Sequence, residues 1–454
     1  MTTTQDRCPP EPGLEWPGRA HHCPALSGLV LLVGLLSIGR AGEADWPRFR
    51  GPNGAGISEA TTIPVRWTEK EYNWVIDLPS PGHSSPVLWG RRIFLTCADS
   101  TSARRMVVCL DAADGRLLWQ REYPSGVYGQ HRDNSFAAAT PAADADGVVV
   151  TWTTPEEVLL LALDTAGREV WRRDLGRFVG LHGSGASPVL WGDLVVLPND
   201  QEDPKAWLSV YGEKGATMTS GKSFLIAVDR KTGRTRWQLE RRSSLAAYST
   251  PCVRQAEGGR PELLVTSTAH GITAVDVATG KVTWEMDHLL KERCVASPIL
   301  ASGLVFATYG QGLKGISCVA VRPGSRDNNQ EPALAYDIRR GVPVVPTPIE
   351  KDGRLFLWGD DGIVTCLRSE KGEVVWAERV GGSFYGSPVW VEGRLYAIAR
   401  SGEVVVVAAA DKFEVLARVP LGEASHATPA VAAGVMYLRT TSKLFSLGGP
   451  KAKP

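Results

Sequence analysis

Residues 223–240 read SFLIAVDRKTGRTRWQLE, and the spacing of Asp229, Gly233 and Trp237 within them decides the fold. An apolar run ends in an acid, a short polar stretch closes on glycine, and a second run carries tryptophan. This is the pattern of a β-hairpin. The aspartate accepts turn N–H groups, and the indole fills the space between adjacent sheets. The D-x-x-x-G-x-x-x-W pattern recurs at Asp111, Gly115, Trp119 and at Asp276, Gly280, Trp284. Asp164, Gly167 and Trp171 repeat it one residue shorter, and Arg368, Gly372 and Trp376 keep the spacing without the acid. Acidic residues followed by glycine are common in β turns, but five copies at matched phase mark a repeat.

Two further markers work outward from this hairpin. A Ser or Thr followed by Pro opens a β-rich run at Pro86, Pro141, Pro188, Pro251, Pro298, Pro348, Pro388 and Pro429, at intervals of 55, 47, 63, 47, 50, 40 and 41 residues. A glycine follows each one between short apolar strands: Gly90, Gly147, Gly192, Gly258, Gly303, Gly353, Gly393 and Gly434. Such a glycine supplies the positive φ of a tight hairpin, and a proline at the head of a strand costs no ladder bond. Each unit therefore holds about four strands in 40–50 residues, the period of a propeller blade. Length alone suggests about three domains; the repeat replaces them with one all-β, eight-bladed propeller over residues 72–449.

The last unit has three strands and ends at LFSLGG near Gly449, whereas YNWVIDLP at residues 72–79 precedes the first unit. Trp74-Val-Ile-Asp-Leu78 has the form of Trp171-Arg-Arg-Asp-Leu175. The N-terminal strand is expected to complete the last blade and close the ring, which removes exposed edges. Blades 5 and 7 depart from the pattern. Tyr336 lies near the Trp slot of blade 5; blade 7 reads Leu416 in that slot and Lys412 in place of Gly. Asp200–Lys222 reads as a surface insertion in blade 3. Residues 45–71, with DWPRFRGPNGAGIS, read as a loop whose Trp46 and Phe49 plug against the ring.

Fifty basic side chains balance 49 acidic ones, and 43% of residues are apolar, values that suit a well-packed soluble protein and disfavour nucleic acid as a partner. Residues 1–44 read as a signal peptide: a basic flank, the apolar run Leu26–Ile38, and cleavage near Ala41–Ala44. An uncleaved anchor is the alternative, and membrane contact is expected only through it. The expected location is the periplasm or another extracytoplasmic compartment. Residues 450–454 read as a tail. No cysteine directly follows the apolar run, so no lipid anchor is expected. The six cysteines beyond residue 44 form no CxxC, CC or CxxCH pattern, which leaves zinc and covalent haem without their usual signatures. They read as small buried hydrophobes, with one disulfide open.

One cluster points to binding. Residues just upstream of each Ser/Thr-Pro should ring the channel mouth. Five of the six histidines beyond the signal lie within ten residues upstream of such a proline: His83, His131, His182, His288 and His426. Asn134, Tyr248, Arg293 and Tyr385 occupy similar positions. Together they are candidates for a polar funnel that takes a small molecule, metal or peptide; the alternative is hydrogen bonding to loop backbone where eight blades converge. No His-x-His spacing supports a metal, and no GxSxG elbow supports a catalytic triad.

The repeat and the opening WPRFRGPNGAGIS resemble the pyrroloquinoline-quinone (PQQ)-like β-propellers, in particular the exported BamB-like proteins of planctomycete-type bacteria. Eight-bladed members of this class include both quinoprotein alcohol dehydrogenases and the BamB assembly lipoproteins. The dehydrogenase resemblance implies PQQ, calcium, a catalytic Asp and usually a Cys-Cys pair, and this chain has no such pair. The scaffold resemblance implies envelope or secreted protein partners at blade edges and top loops. The sequence therefore reads as an exported, non-catalytic scaffold, expected to be monomeric and without a cofactor; a PQQ-dependent oxidoreductase or a small-molecule-binding propeller is the alternative.

Overall fold

The computed structural model describes residues 45–183, 185–205, 221–255, 259–325 and 329–449. The signal segment, Gly258, the tail and most of the blade 3 insertion lie outside them. Eight antiparallel sheets follow one another along the chain, each a blade. Blade 1 is formed by Val87–Trp89, Arg92–Ala98, Arg105–Asp111 and Leu117–Tyr123, and the later blades repeat this order from the channel outward. Each innermost strand starts one residue after its Ser/Thr-Pro proline. The two middle strands of a blade are buried on both faces, because neighbouring blades cover them. Runs such as Val158–Asp164, VLLLALD, are therefore apolar without alternation. Tyr72–Asp77 pairs antiparallel with Lys443–Gly448 and completes blade 8. Ring closure thus comes from the strand that the truncated last repeat calls for.

The hairpin motif is a seam between blades. Asp229 accepts the N–H groups of Lys231 and Thr232, and Asp111, Asp164 and Asp276 hold their turns likewise. In all eight blades the outermost strand bulges by one residue, which sets the residue of the Trp slot opposite a residue of the third strand; in six blades that residue is tryptophan, aimed at the next blade. There the indole N–H donates to the carbonyl that follows the next motif's acid position: Trp119 to Thr165, Trp171 to Arg230, Trp237 to Val277, Trp376 to Ala410 and Trp74 to Ala112, at 2.9–3.3 Å. The next blade's glycine lies flat against the ring. Gly280 has φ 71°, and a Cβ there would sit 2.5 Å from the Trp237 ring. Gly115, Gly167 and Gly233 meet Trp74, Trp119 and Trp171 in the same way, and Gly372 meets Tyr336. The glycine therefore serves both its own turn and its neighbour's indole.

The bulge corrects the reading of blade 7. Leu416 is the bulged residue, and Ala417, paired with Val406, occupies the Trp slot. Phe413, not Lys412, takes the glycine's place and packs on Trp376 at 5.2 Å between ring centroids. Tyr336 does fill the slot of blade 5, and its hydroxyl donates to the Ser369 carbonyl. Trp284, which faces the irregular turn of blade 5, has an indole N–H with no acceptor among the described residues.

A second ring lines the channel. The residues before the prolines alternate Ser85, Thr140, Ser187, Thr250, Ser297, Thr347, Ser387 and Thr428, and all are buried. In seven of the eight steps, the N–H of one donates 2.9–3.0 Å to the side-chain oxygen of its neighbour, ending with Thr428 to Ser85. Seven of the N–H groups where eight strands converge are satisfied by this belt. Arg439, fully buried, ties blade 8 to blade 1 by donating to the carbonyls of Ser84 and Thr96.

The N-terminal segment is more than a loop. Ile57–Ser58 adds a parallel fifth strand to blade 7 beside Val389–Val391, and Trp46 pairs with Leu88. The blade 3 insertion also begins inside the protein: Asp200, Gln201 and Glu202 are buried, not at the surface. The six cysteines are buried free thiols, so none is in a disulfide.

Candidate functional site

Above the hydroxyl belt, on the side where the connectors enter the inner strands, lies a cavity of about 450 Å³. The structure brings His83, His131, Asn134, His182, Tyr248, Arg293, Tyr385 and His426 into its wall. His288 does not join them; its side chain is 72% exposed beside Asp287. His270 lies elsewhere too, bonded to Glu285 at 3.0 Å.

The wall is built of aromatic pairs. His83 packs on His426 with ring centroids 4.2 Å apart, and Tyr385 meets His426 at 5.0 Å. Across the mouth, His131 packs on His182 at 4.7 Å, and His182 meets the edge of Tyr248. Arg293 lies over Tyr248, and Arg400 lies 4.3 Å over the ring of Tyr385. Burial, with neighbouring positive charge, lowers the imidazole pKa values: His83 to about 3, with His426 and Arg439 beside it, and His182 to about 4, with Arg293 beside it. His426 is lowered by burial and by Arg400. These imidazoles are neutral at neutral pH, each with one donor and one acceptor nitrogen.

The polar segment His131–Ser135 crosses the mouth. Asp133 accepts a bond of 2.5 Å from Arg400 and one of 3.1 Å from the Tyr385 hydroxyl, 267 and 252 residues away. Burial opposes the charge on Asp133, but Arg400 and these bonds hold its carboxyl below the usual range. Asn134 donates to the His182 carbonyl at 2.6 Å and fixes the other end of the crossing. On the opposite wall, Glu202 at the start of the insertion pairs with Arg293 at 2.7 Å and accepts the Ala246 N–H. Behind Val344 and Val345, Asp360 accepts both of their N–H groups; burial pushes its carboxyl up to about 7.

Sequence reasoning missed Asp133, Glu202, Asp360 and Arg400. Asp133 stood beside two named candidates, but nothing marked it apart from them. Arg400 lies in the turn after the second strand of blade 7, Arg394–Ile398, where the repeat carries no signal. The Ser/Thr alternation was legible, although its hydrogen-bonded meaning depends on ring closure.

A calcium ion takes six to eight oxygen ligands. Asp133 and Glu292 are the carboxylates in the cavity wall, and both oxygens of Asp133 are engaged. Among the described residues no three His, Cys, Asp or Glu side chains are placed to hold a metal. Among the described residues, the carboxylates of the cavity wall do not supply the oxygen set that a calcium-held quinone needs.

Eight antiparallel blades, tryptophan seams and closure by an N-terminal strand define a β-propeller of the PQQ-like repeat class. A family model described as "Outer membrane protein assembly factor BamB" matches residues 57–205, 208–378 and 337–447, and the chain belongs to that family. BamB of Yersinia pestis is 20% identical over 206 residues, which span 41% of this chain and 49% of that protein, so the chain matches about half the relative's length. Among solved structures, BamB from Moraxella catarrhalis is similar with a TM-score of 0.57 and 14% identity over 84% of this chain and 98% of that one. The quinohemoprotein alcohol dehydrogenase of Comamonas testosteroni gives 0.57 and 15% over 90% and 82%. At these identities the likeness speaks to fold alone, and the fold is shared by an assembly factor and a dehydrogenase. Among the described residues no helix is long and apolar enough to cross a membrane.

Proposed function

We propose that the chain is an exported, non-catalytic propeller that serves as a protein-binding scaffold in envelope or outer-membrane protein assembly. One observation carries this reading: the charged groups of the mouth are committed to each other. Asp133 is spent on Arg400 and Tyr385, and Glu202 on Arg293, so neither stands free as a general base or metal ligand. Family membership supports the same direction. Val127, Leu313 and Ile316 are exposed apolar side chains, with Leu313 in the cavity wall, that suit contact with another protein.

The test is a titration of the mature protein with PQQ and calcium, following quinone absorbance and melting temperature. A ligand that binds only the native state raises apparent stability by mass action. No shift is expected. A shift lost on substitution of His182 or Arg293 would overturn the non-catalytic reading. In parallel, cross-linking in an envelope fraction should yield partners whose capture drops in a Leu313→Asp, Ile316→Asp variant.

The cavity itself favours a second reading: a small ligand seated at the channel mouth, alone or together with a partner. Its volume and its mixture of apolar and hydrogen-bonding walls fit a small-molecule site.

A further inference from the structure

The segment Asp45–Ser58 lies before the repeats in sequence and inside the ring in space. Arg50 is fully buried, and among the described residues no carboxylate pairs with it. Its five N–H donors all reach main-chain carbonyls: Nε to Gly54, Nη1 to Thr347 and Pro388, Nη2 to Ala55 and Pro348, at 2.9–3.3 Å. A guanidinium has five donors, so none is left over. Burying a cation without a counter-charge is costly unless its geometry is met in full, which here holds the segment in one register. Arg48, also buried, donates to the Pro251 carbonyl. Asn53 exchanges two bonds with the Val253 main chain, at 2.8 and 2.7 Å. Trp46 exchanges two with Leu88, and Ala143 donates to the Pro47 carbonyl.

These contacts reach the inner strands of blades 1, 2, 4, 6 and 7. They lie at the hydroxyl belt or beyond it, on the side away from the histidines. Phe49, between the two buried arginines, contributes to the wall of the cavity. Most of the other apolar lining lies on one side: Leu245, Val295, Val344 and Val345 come from the connectors into blades 4 to 6, and Leu313 from blade 5, whereas His83, His182 and His426, with the small Ala138, come from those into blades 1, 3, 8 and 2.

We infer that Asp45–Ser58 is a built-in plug that turns the channel into a blind cup, with Phe49 as its floor and a specificity-determining residue. The cup takes a compact amphiphile whose apolar ring rests on Phe49 and the valines while its polar head meets the imidazoles. This rests on the reading of the cavity as a ligand site. Entry is through the histidine face alone.

The probe is 1-anilinonaphthalene-8-sulfonate, which has an apolar ring system and a polar head. Its fluorescence reports binding to the full-length mature protein. The six cysteines beyond residue 44 are buried, so in protein lacking residues 1–44, and with them Cys8 and Cys23, Phe49→Cys adds a thiol that a small methanethiosulfonate can reach from the mouth. Saturating probe should slow that labelling about tenfold or more, and Phe49→Trp, which raises the floor, should weaken probe binding about tenfold. If Phe49→Trp fails to fold, the labelling measurement still decides. If His182→Ala weakens the probe while labelling and Phe49→Trp affinity stay unchanged, the cup stands and its floor is elsewhere, which overturns the inference. If wild-type protein binds no probe, or binds it with no effect of His182→Ala, the ligand-site reading falls and takes this inference with it.

Discussion

The seam between blades 3 and 4 and the seam between blades 4 and 5 start from the same residue type and end differently. Trp237 donates its indole N–H to the Val277 carbonyl at 2.9 Å and lies flat on Gly280. Trp284, at the same point of the next blade, is buried to a similar degree but faces a blade whose hairpin turn has lost the Asp-Gly form, and among the described residues its N–H has no acceptor. A tryptophan in this repeat therefore works through the motif of the next blade, not its own. Each copy is half of two seams, and an irregular turn damages the blade before it.

The largest effect should come from breaking the good seam. Gly280→Ala places a Cβ against the Trp237 ring at a positive φ and should lower unfolding stability by about 2–4 kcal/mol in a denaturant titration.

Acid should act first at the mouth, and at the seams only below the ordinary carboxylate range, where the lowered carboxyls of Asp111, Asp164 and Asp229 take up protons. The folded pKa values of His83 and His182, about 3 and 4, lie below the ordinary 6.5. The unfolded chain thus binds more protons in that window, so their contribution is present above pH 6.5 and is lost as pH falls, by at most about 1.4 kcal/mol per pH unit for each. Asp360 has the opposite sign. Its folded value of about 7 exceeds 3.8, so its contribution is lost as pH rises between them. A His83→Asn, His182→Asn variant should flatten the acid slope of stability, and Asp360→Asn should steepen it. Equal slopes in all three proteins would contradict the mouth assignment.

A smaller contrast sharpens the seam comparison directly. Trp237→Phe removes a satisfied N–H and leaves the Val277 carbonyl open, whereas Trp284→Phe removes an N–H that had no partner. The first should cost about 1 kcal/mol more than the second. Equal costs would mean that the acceptor contributes nothing.

The smallest effect on global stability is expected at the crossing segment. Asp133→Asn weakens its hold on Arg400 and should change the melting temperature little. Amide exchange across His131–Ser135 should nevertheless rise clearly; unchanged protection there would show that Asn134 suffices to hold the segment.

The parts of the fold legible in sequence are those written between near neighbours. The acid, glycine and tryptophan of a hairpin lie within nine residues of each other, and a truncated last repeat states what the ring lacks. The Trp slot of blade 7 was misread by one residue because a bulge leaves no mark when the slot holds Ala417 rather than an indole. His288 shares the phase of the other histidines but lies on the loop surface, because ten residues upstream of a proline can still fall outside the mouth. The eight named candidates that do share the cavity were found from their phase alone, because every connector re-enters the ring at the same height.

The sequence by itself determined eight antiparallel blades, their order and the strand that closes them. Turn chemistry and strand length are local properties, and repetition makes them unmistakable. Only the tertiary structure decided what meets at the axis. Asp133 finds Arg400 across 267 residues, and Arg50 finds Pro388 across 338. Those pairs exist only because closure brings distant connectors within bonding distance, and no spacing along the chain encodes that distance.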